Sequence, residues 1–149
     1  MKKIQIKILK PDIVSDAPSY ATSGSAGLDL SAAITDKIIL KPGECILIGT
    51  GLAINIADSN YAAIILPRSG LGHKKGLVLG NGTGLIDSDY QGELMVSCLN
   101  RSGIDIEIEP MMRFAQLVII PIIRVEFDLV DEFHFDTDRS TGGFGHTGV

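Results

Sequence analysis

Short apolar runs follow one another along this chain with turn residues between them, and no stretch sustains a helical period for long. Ile4, Ile6 and Ile8 alternate with polar neighbours, as do Ile104, Ile106 and Ile108. Between them lie apolar runs at 38–40, 46–48, 52–56, 62–66, 77–79 and 94–99. Lys41-Pro42-Gly43, Asp58-Ser59-Asn60 and Arg101-Ser102-Gly103 punctuate them. Short strands with such spacing specify an all-β barrel or sandwich. The apolar content is 45% without tryptophan, mostly Ile, Leu and Val, which suits strands. One short helix is expected over 69–75, weakened by its glycines.

With 149 residues the chain makes one domain with a real core. A net charge of −5 argues against nucleic-acid partners, since phosphate backbones select basic surfaces. Cys45 and Cys98 show neither CxxC spacing nor a histidine cluster, and read as buried free thiols in a reducing compartment. The basic start alternates, which reads as a strand and not as a signal peptide. The longest apolar run, 114–123, contains Gln116 and Pro121 and is too short to span a bilayer. A cytoplasmic protein without membrane partners is expected.

Five segments carry possible chemistry, and each also has an ordinary structural reading. In Asn81-Gly82-Thr83-Gly84-Leu85-Ile86-Asp87-Ser88-Asp89-Tyr90-Gln91-Gly92, glycines sit near both ends and an aliphatic pair precedes an acid. Asp87 is a candidate base there and Tyr90 a candidate ring surface, though a plain β-hairpin uses the same turn residues. Asp29, between Leu28 and Leu30, reads as a turn or edge carboxylate. Arg68 and Ser69 precede the helix candidate and suit either a phosphate cradle or a serine cap beside a surface arginine. Gln116 interrupts an apolar strand and needs a partner, either backbone or ligand. From Asp136 onward the chain has almost nothing to bury except Phe144. That composition fits a frayed terminus or a lid that orders over a ligand.

Together these segments resemble the trimeric deoxyuridine triphosphatase (dUTPase) family. The matching residues are Ala26-Gly27-Leu28-Asp29-Leu30, Pro67-Arg68-Ser69-Gly70, Gly84-Leu85-Ile86-Asp87-x-x-Tyr90-x-Gly92, Arg113-Phe114-Ala115-Gln116 and Arg139-x-x-Gly142-Gly143-Phe144-Gly145-x-Thr147-Gly148. All five family motifs are present in order, and they span nearly the whole chain. Two departures stand out. Met111-Met112 occupy the place of a frequent Gly-Glu pair, and Ser140 follows the arginine where glycine is usual.

The resemblance implies an all-β, distorted jelly-roll β-barrel with one short helix, over residues 1–135, and a flexible glycine-rich C-terminal arm, 136–149. It implies a homotrimer whose active sites are shared, a third subunit supplying the arm. The implied reaction is Mg²⁺-dependent hydrolysis of dUTP to dUMP and pyrophosphate. Asp87 would be the general base that activates water for attack on the α-phosphorus. Arg68, Ser69 and Gln116 would bind the triphosphate, Arg139 and Thr147 its terminal phosphate, and Asp29 would support Mg²⁺ through water. Asn81 and backbone groups of a β-hairpin would read the uracil edge. Tyr90 would pack under the deoxyribose and Phe144 would stack on the base. Gly70, Gly84, Ile86 and Gly145 complete the implied substrate-binding set. The alternatives are a dCTP deaminase on the same fold, or a non-catalytic nucleotide- or partner-binding trimer. Against the deaminase stand the Ile86-Asp87-x-x-Tyr90 pattern and the Gly-Gly-Phe-Gly tail. Against the non-catalytic trimer stands the presence of both Asp87 and the tail.

Overall fold

A strand with one face in a core and one in solvent alternates with period two. In Glu93–Asn100, Leu94, Val96, Cys98 and Asn100 point inward while the intervening residues are more exposed. The computed structural model describes residues 2–135, 137 and 139–142. Its strands are β1 (Gln5–Ile8), β2 (Leu28–Ser31), β3 (Ile38–Leu40), β4 (Cys45–Asn55), β5 (Tyr61–Pro67), β6 (Leu77–Leu79), β7 (Gly84–Ile86), β8 (Glu93–Asn100), β9 (Ile106–Ile108) and β10 (Arg113–Pro121). A single π-helical turn, Leu71–Lys75, lies where the sequence places its one short helix.

The strands form two four-stranded antiparallel sheets, ordered β1-β4-β8-β6 and β2-β10-β5-β7, and a small β3-β9 pair. Side chains from all three meet in one core, including Leu30, Ile65 and Leu117, then Ile48, Leu94 and Val96, then Leu40 and Ile108. This is the expected distorted jelly-roll β-barrel. No described helix is long and apolar enough to cross a membrane.

Three local expectations are corrected. The separate runs at 46–48 and 52–56 belong to one strand, β4, whose register shifts between Gly49 and Ala53. That irregularity is held from β8, where the Glu93 carboxylate accepts the Gly51 N–H (2.8 Å) and the Leu94 carbonyl accepts the Thr50 hydroxyl (2.9 Å). Ile104 does not join Ile106 and Ile108 in β9 and is 73% exposed. Buried Asn100 explains it. Its amide donates to the carbonyls of Leu40 (2.8 Å) and Ile104 (2.7 Å), and its side-chain oxygen accepts from Ser102, so the 100–104 loop follows polar satisfaction instead of alternation. Cys45 is exposed, not buried, because it opens β4 with its sulfur beside the Ser97 hydroxyl (3.3 Å).

Cys98 is buried as expected, and burial pushes its thiol from an ordinary 9.0 up to about 12. The thiolate is the reactive species. Iodoacetamide at neutral pH should therefore leave Cys98 unmodified in the folded protein and alkylate it after denaturation, as read by peptide mass spectrometry.

Beyond β10 the described chain carries no further strand, and Ile123, Phe127, Leu129, Phe133 and Phe135 are between 86% and 99% exposed.

Candidate active site

Adjacent strands β2, β10 and β5 bring the first, fourth and second motifs together. In a regular strand, residues three apart face opposite ways, so Arg113 and Gln116 would diverge. Strand β10 instead shifts register between Arg113 and Ala115: Arg113 pairs with Ser31, while Gln116 pairs with Asp29. Ser31 and Asp29 are two apart and share a face, so the bulge turns Arg113 and Gln116 to that same face. Phe114 and Ala115 between them enter the core.

Asp29 is consequently gripped from two sides. Arg68 Nε stands 3.0 Å from one carboxylate oxygen and Arg113 Nη1 3.2 Å from the other. Arg68 also donates to the Arg113 carbonyl (3.0 Å). Of the two readings open for Gln116, the backbone partner is realised, since its amide donates to the Pro67 carbonyl (2.9 Å). Its side chain lies so close to Gly27 that a Cβ there would stand 3.3 Å from Gln116 Cδ and closer still to its oxygen. A glycine is needed at 27 for this approach. Ser25, Gly27, Asp29, Arg68, Ser69 and Gln116 line a cavity of about 330 Å³. An adjoining hollow of about 300 Å³ adds Gly70, Lys74 and Lys75. Ser69 makes no side-chain cap on the π-helical turn, so the serine-cap reading fails. One carboxylate among two arginines and two lysines leaves an excess of positive charge and amide donors, which suits a polyanion.

The third motif lies elsewhere on the chain. The 81–92 segment is not the expected β-hairpin, because β7 pairs only with β5 while β6 and β8 pair in the other sheet. A tight turn, closed by Gly82 N–H to the Leu79 carbonyl (3.1 Å), carries the chain from one sheet to the other. Gly84 packs against Ile65 and Ile86 against the core, and these contacts hold β7 on the edge of β5. Asn81, Asp87 and Asp89 are exposed. The Asp87 carbonyl accepts the Tyr90 N–H (3.2 Å), and the Tyr90 hydroxyl donates to the Glu93 carbonyl (2.9 Å). Ile86 pairs with Ala63, whereas Arg68 lies five residues further along the chain, just past β5. At about 3.4 Å per residue, the two groups stand roughly 17 Å apart along the strand. Within one chain, therefore, Asp87 does not meet the Asp29–Arg68–Gln116 cluster.

Of the fifth motif, Arg139 is described and donates from Nε to the Gly142 carbonyl (2.8 Å), within its own turn. Phe144, Gly145 and Thr147 lie outside the described residues. Both departures from the family pattern occupy left-handed backbone, with φ of 57° at Met111 and 43° at Ser140. At Met111 the turn into β10 is kept, its N–H bonding the Ala32 carbonyl (2.9 Å). A left-handed non-glycine residue costs roughly 1–2 kcal/mol, while glycine loosens the unfolded chain by about 0.4–1 kcal/mol. Met111→Gly should therefore raise stability, by up to about 1 kcal/mol, in urea unfolding followed by circular dichroism.

Sequence reasoning assigned a role to Gln116 but none to Arg113. The acid-arginine pairing depends on the β10 bulge, for which the strand's period gives no signal. For a divalent cation, the described residues offer no cluster of three or more His, Cys, Asp or Glu side chains. Both Asp29 oxygens already meet arginines.

A family model described as dUTPase matches residues 14–148. A deoxyuridine 5'-triphosphate nucleotidohydrolase of Francisella tularensis subsp. holarctica is 67% identical over 147 residues, covering 99% of each chain. Among solved structures, a Staphylococcus bacteriophage 80alpha dUTPase with dUPNHPP superimposes with a TM-score of 0.88 at 28% identity, covering 100% of both chains. A mutant dUTPase of phage phi11 of S. aureus, described as revealing the coordination of a structural Mg(II) ion, gives a TM-score of 0.78 at 26% identity, over 89% of this chain and 99% of that one.

Proposed function

This chain belongs to the dUTPase family, and we propose on that premise how its residues divide the hydrolysis of dUTP to dUMP and pyrophosphate. A water oxygen attacks the α-phosphorus, Asp87 takes the proton it loses, and the bond from the α-phosphorus to the bridging oxygen breaks to release pyrophosphate. The observation that carries the binding half is the doubly held Asp29, which fixes Arg68 beside Ser69 and Gln116 in a cationic cavity. These groups bind and orient the triphosphate, and positioning of this kind supplies a large part of such a rate enhancement. Mg²⁺, when bound, neutralises charge on the triphosphate oxygens, with Asp29 supporting it through water. Asn81 and the backbone of the 81–84 turn read the uracil edge, with Gly84 and Ile86 holding that turn in place. Gly70 lets the triphosphate approach the start of the π-helical turn.

The protein works as a homotrimer with shared sites. Supporting this is the roughly 17 Å along β5 between Asp87's neighbour and Arg68, too far for one chain to close the site. Two apolar surfaces that a single chain leaves open also support it. One is the exposed stretch from Ile123 to Phe135. The other is a groove of about 450 Å³ lined by Ile4, Ile6, Tyr20, Leu28, Leu117 and Ile119. Residues 1–135 form the barrel unit, and 136–149 an arm that closes over the site, bringing Arg139, Phe144, Gly145 and Thr147.

Pyrophosphate release from a panel of deoxynucleoside triphosphates and UTP, with and without Mg²⁺, tests this reading. Release from dUTP alone, strongly reduced by chelation, is expected. Ammonia release from dCTP would move the chain to the deaminase reading, and full activity in chelator would remove Mg²⁺ from the mechanism.

A further inference from the structure

We infer that Gly92 is a positioning residue for sugar discrimination: its bare Cα is the platform on which the Tyr90 ring is held. The inference rests on the reading that Tyr90 faces the deoxyribose. A ring excludes a 2′-hydroxyl only if it cannot yield when pushed. Tyr90 is 42% exposed, so little of the core holds it from behind.

Three contacts fix it instead. Its N–H is bonded to the Asp87 carbonyl (3.2 Å), its hydroxyl to the Glu93 carbonyl (2.9 Å), and its ring lies across Gly92. The far anchor is itself rigid. Glu93 pairs with Ala53 of β4, and its carboxylate accepts the Gly51 N–H (2.8 Å) and faces Lys10 Nζ (3.6 Å). A Cβ at Gly92 would stand 2.6 Å from Tyr90 Cζ and 3.0 Å from Cε2, and nearer still to the hydroxyl oxygen. The three atoms it would meet belong to the outer end of one side chain, so the ring must leave while the backbone can stay. Any side chain at 92 thus unseats the ring that reads the sugar, without itself touching substrate.

The test compares kcat/KM for dUTP and UTP in Gly92→Ala, Tyr90→Ala, Tyr90→Phe and the Gly92→Ala/Tyr90→Ala double variant, each trimeric and folded by circular dichroism. A steric pocket rejects an added hydroxyl by roughly 10²-fold, and Gly92→Ala should surrender about tenfold of that. It should do so by lowering KM for UTP, with kcat on dUTP near that of the parent. Tyr90→Phe keeps the ring on its platform and loses only the anchor, so it should lose less. In the double variant Gly92→Ala should add nothing to Tyr90→Ala. Parental discrimination in Gly92→Ala, with Tyr90→Ala impaired, overturns the platform and leaves the sugar reading intact. Further narrowing in the double variant also overturns it. Unchanged discrimination in Tyr90→Ala sinks the sugar reading and this inference with it. If Gly92→Ala does not fold, Tyr90→Phe still decides: a loss equal to that of Tyr90→Ala means that the platform holds nothing.

Discussion

Asp87→Asn should bind dUTP with Mg²⁺ about as well as the parent and lose roughly 10²–10⁴-fold in single-turnover hydrolysis, the usual contribution of a positioned general base. The substitution keeps shape and polarity and removes only the proton acceptor. It should leave the fold alone, because Asp87 is exposed and its structural bond, from Tyr90 N–H, goes to its backbone carbonyl. Asp89, also exposed two residues on, is the rival. Asp87 is preferred because it directly follows Ile86, which β5 holds in register, whereas Asp89 lies out in the loop. Asp89→Asn should be close to neutral. Hydrolysis that survives in Asp87→Asn and collapses in Asp89→Asn would reverse the assignment.

The same variant can ask whether sites are shared. Arg68→Ala should be poorly active but folded, because Arg113 still pairs Asp29 after Arg68 is gone. Subunits of the two inactive variants, unfolded together and refolded as mixed oligomers, should recover activity. In an equal mixture about one site in four would draw an intact Asp87 from one subunit and an intact Arg68 from another. No recovery at all would mean that both groups come from one chain.

The sequence carried some of this and hid the rest for physical reasons. Strand β8 was legible because Leu94, Val96 and Cys98 keep strict period two against one buried face. Strand β4 was split in expectation because Gly49-Thr50-Gly51 interrupts its apolar run, whereas Glu93 and Leu94 hold the irregularity inside a continuous strand. Ile104 was misplaced because buried Asn100 claims its carbonyl, a tertiary demand that alternation does not encode. The hairpin expectation failed because turn residues specify reversal but not which sheet the next strand joins. At the site, Gln116 was picked out as a polar interruption of an apolar strand, whereas Asp29 read as a turn or edge carboxylate and took its role from the family motif. Arg113 drew no role because its aim depends on the bulge in β10.

Removing the chain from Asp138 onward should leave a folded, trimeric barrel that barely turns over dUTP. The core runs from Val14 to Leu117 among the described residues, with Ile119 the last apolar side chain packed on it, so the cut lies well beyond what holds the barrel together. It also lies beyond the exposed apolar side chains up to Phe135 that we assign to subunit contact. What it removes is Arg139, whose Nε bond is spent on its own turn, together with Phe144, Gly145 and Thr147. A segment that carries an arginine, an aromatic ring and a threonine among glycines has a composition suited to a ligand and little suited to burial. Phe144→Ala should do part of the same damage. Stacking of a base on an aromatic ring is worth about 1–3 kcal/mol, or roughly 5- to 150-fold in kcat/KM. Gel filtration and pyrophosphate release together read the outcome. A truncated trimer with near-parental turnover would take the arm out of the mechanism, and loss of the trimer would extend the subunit contact past Asp138.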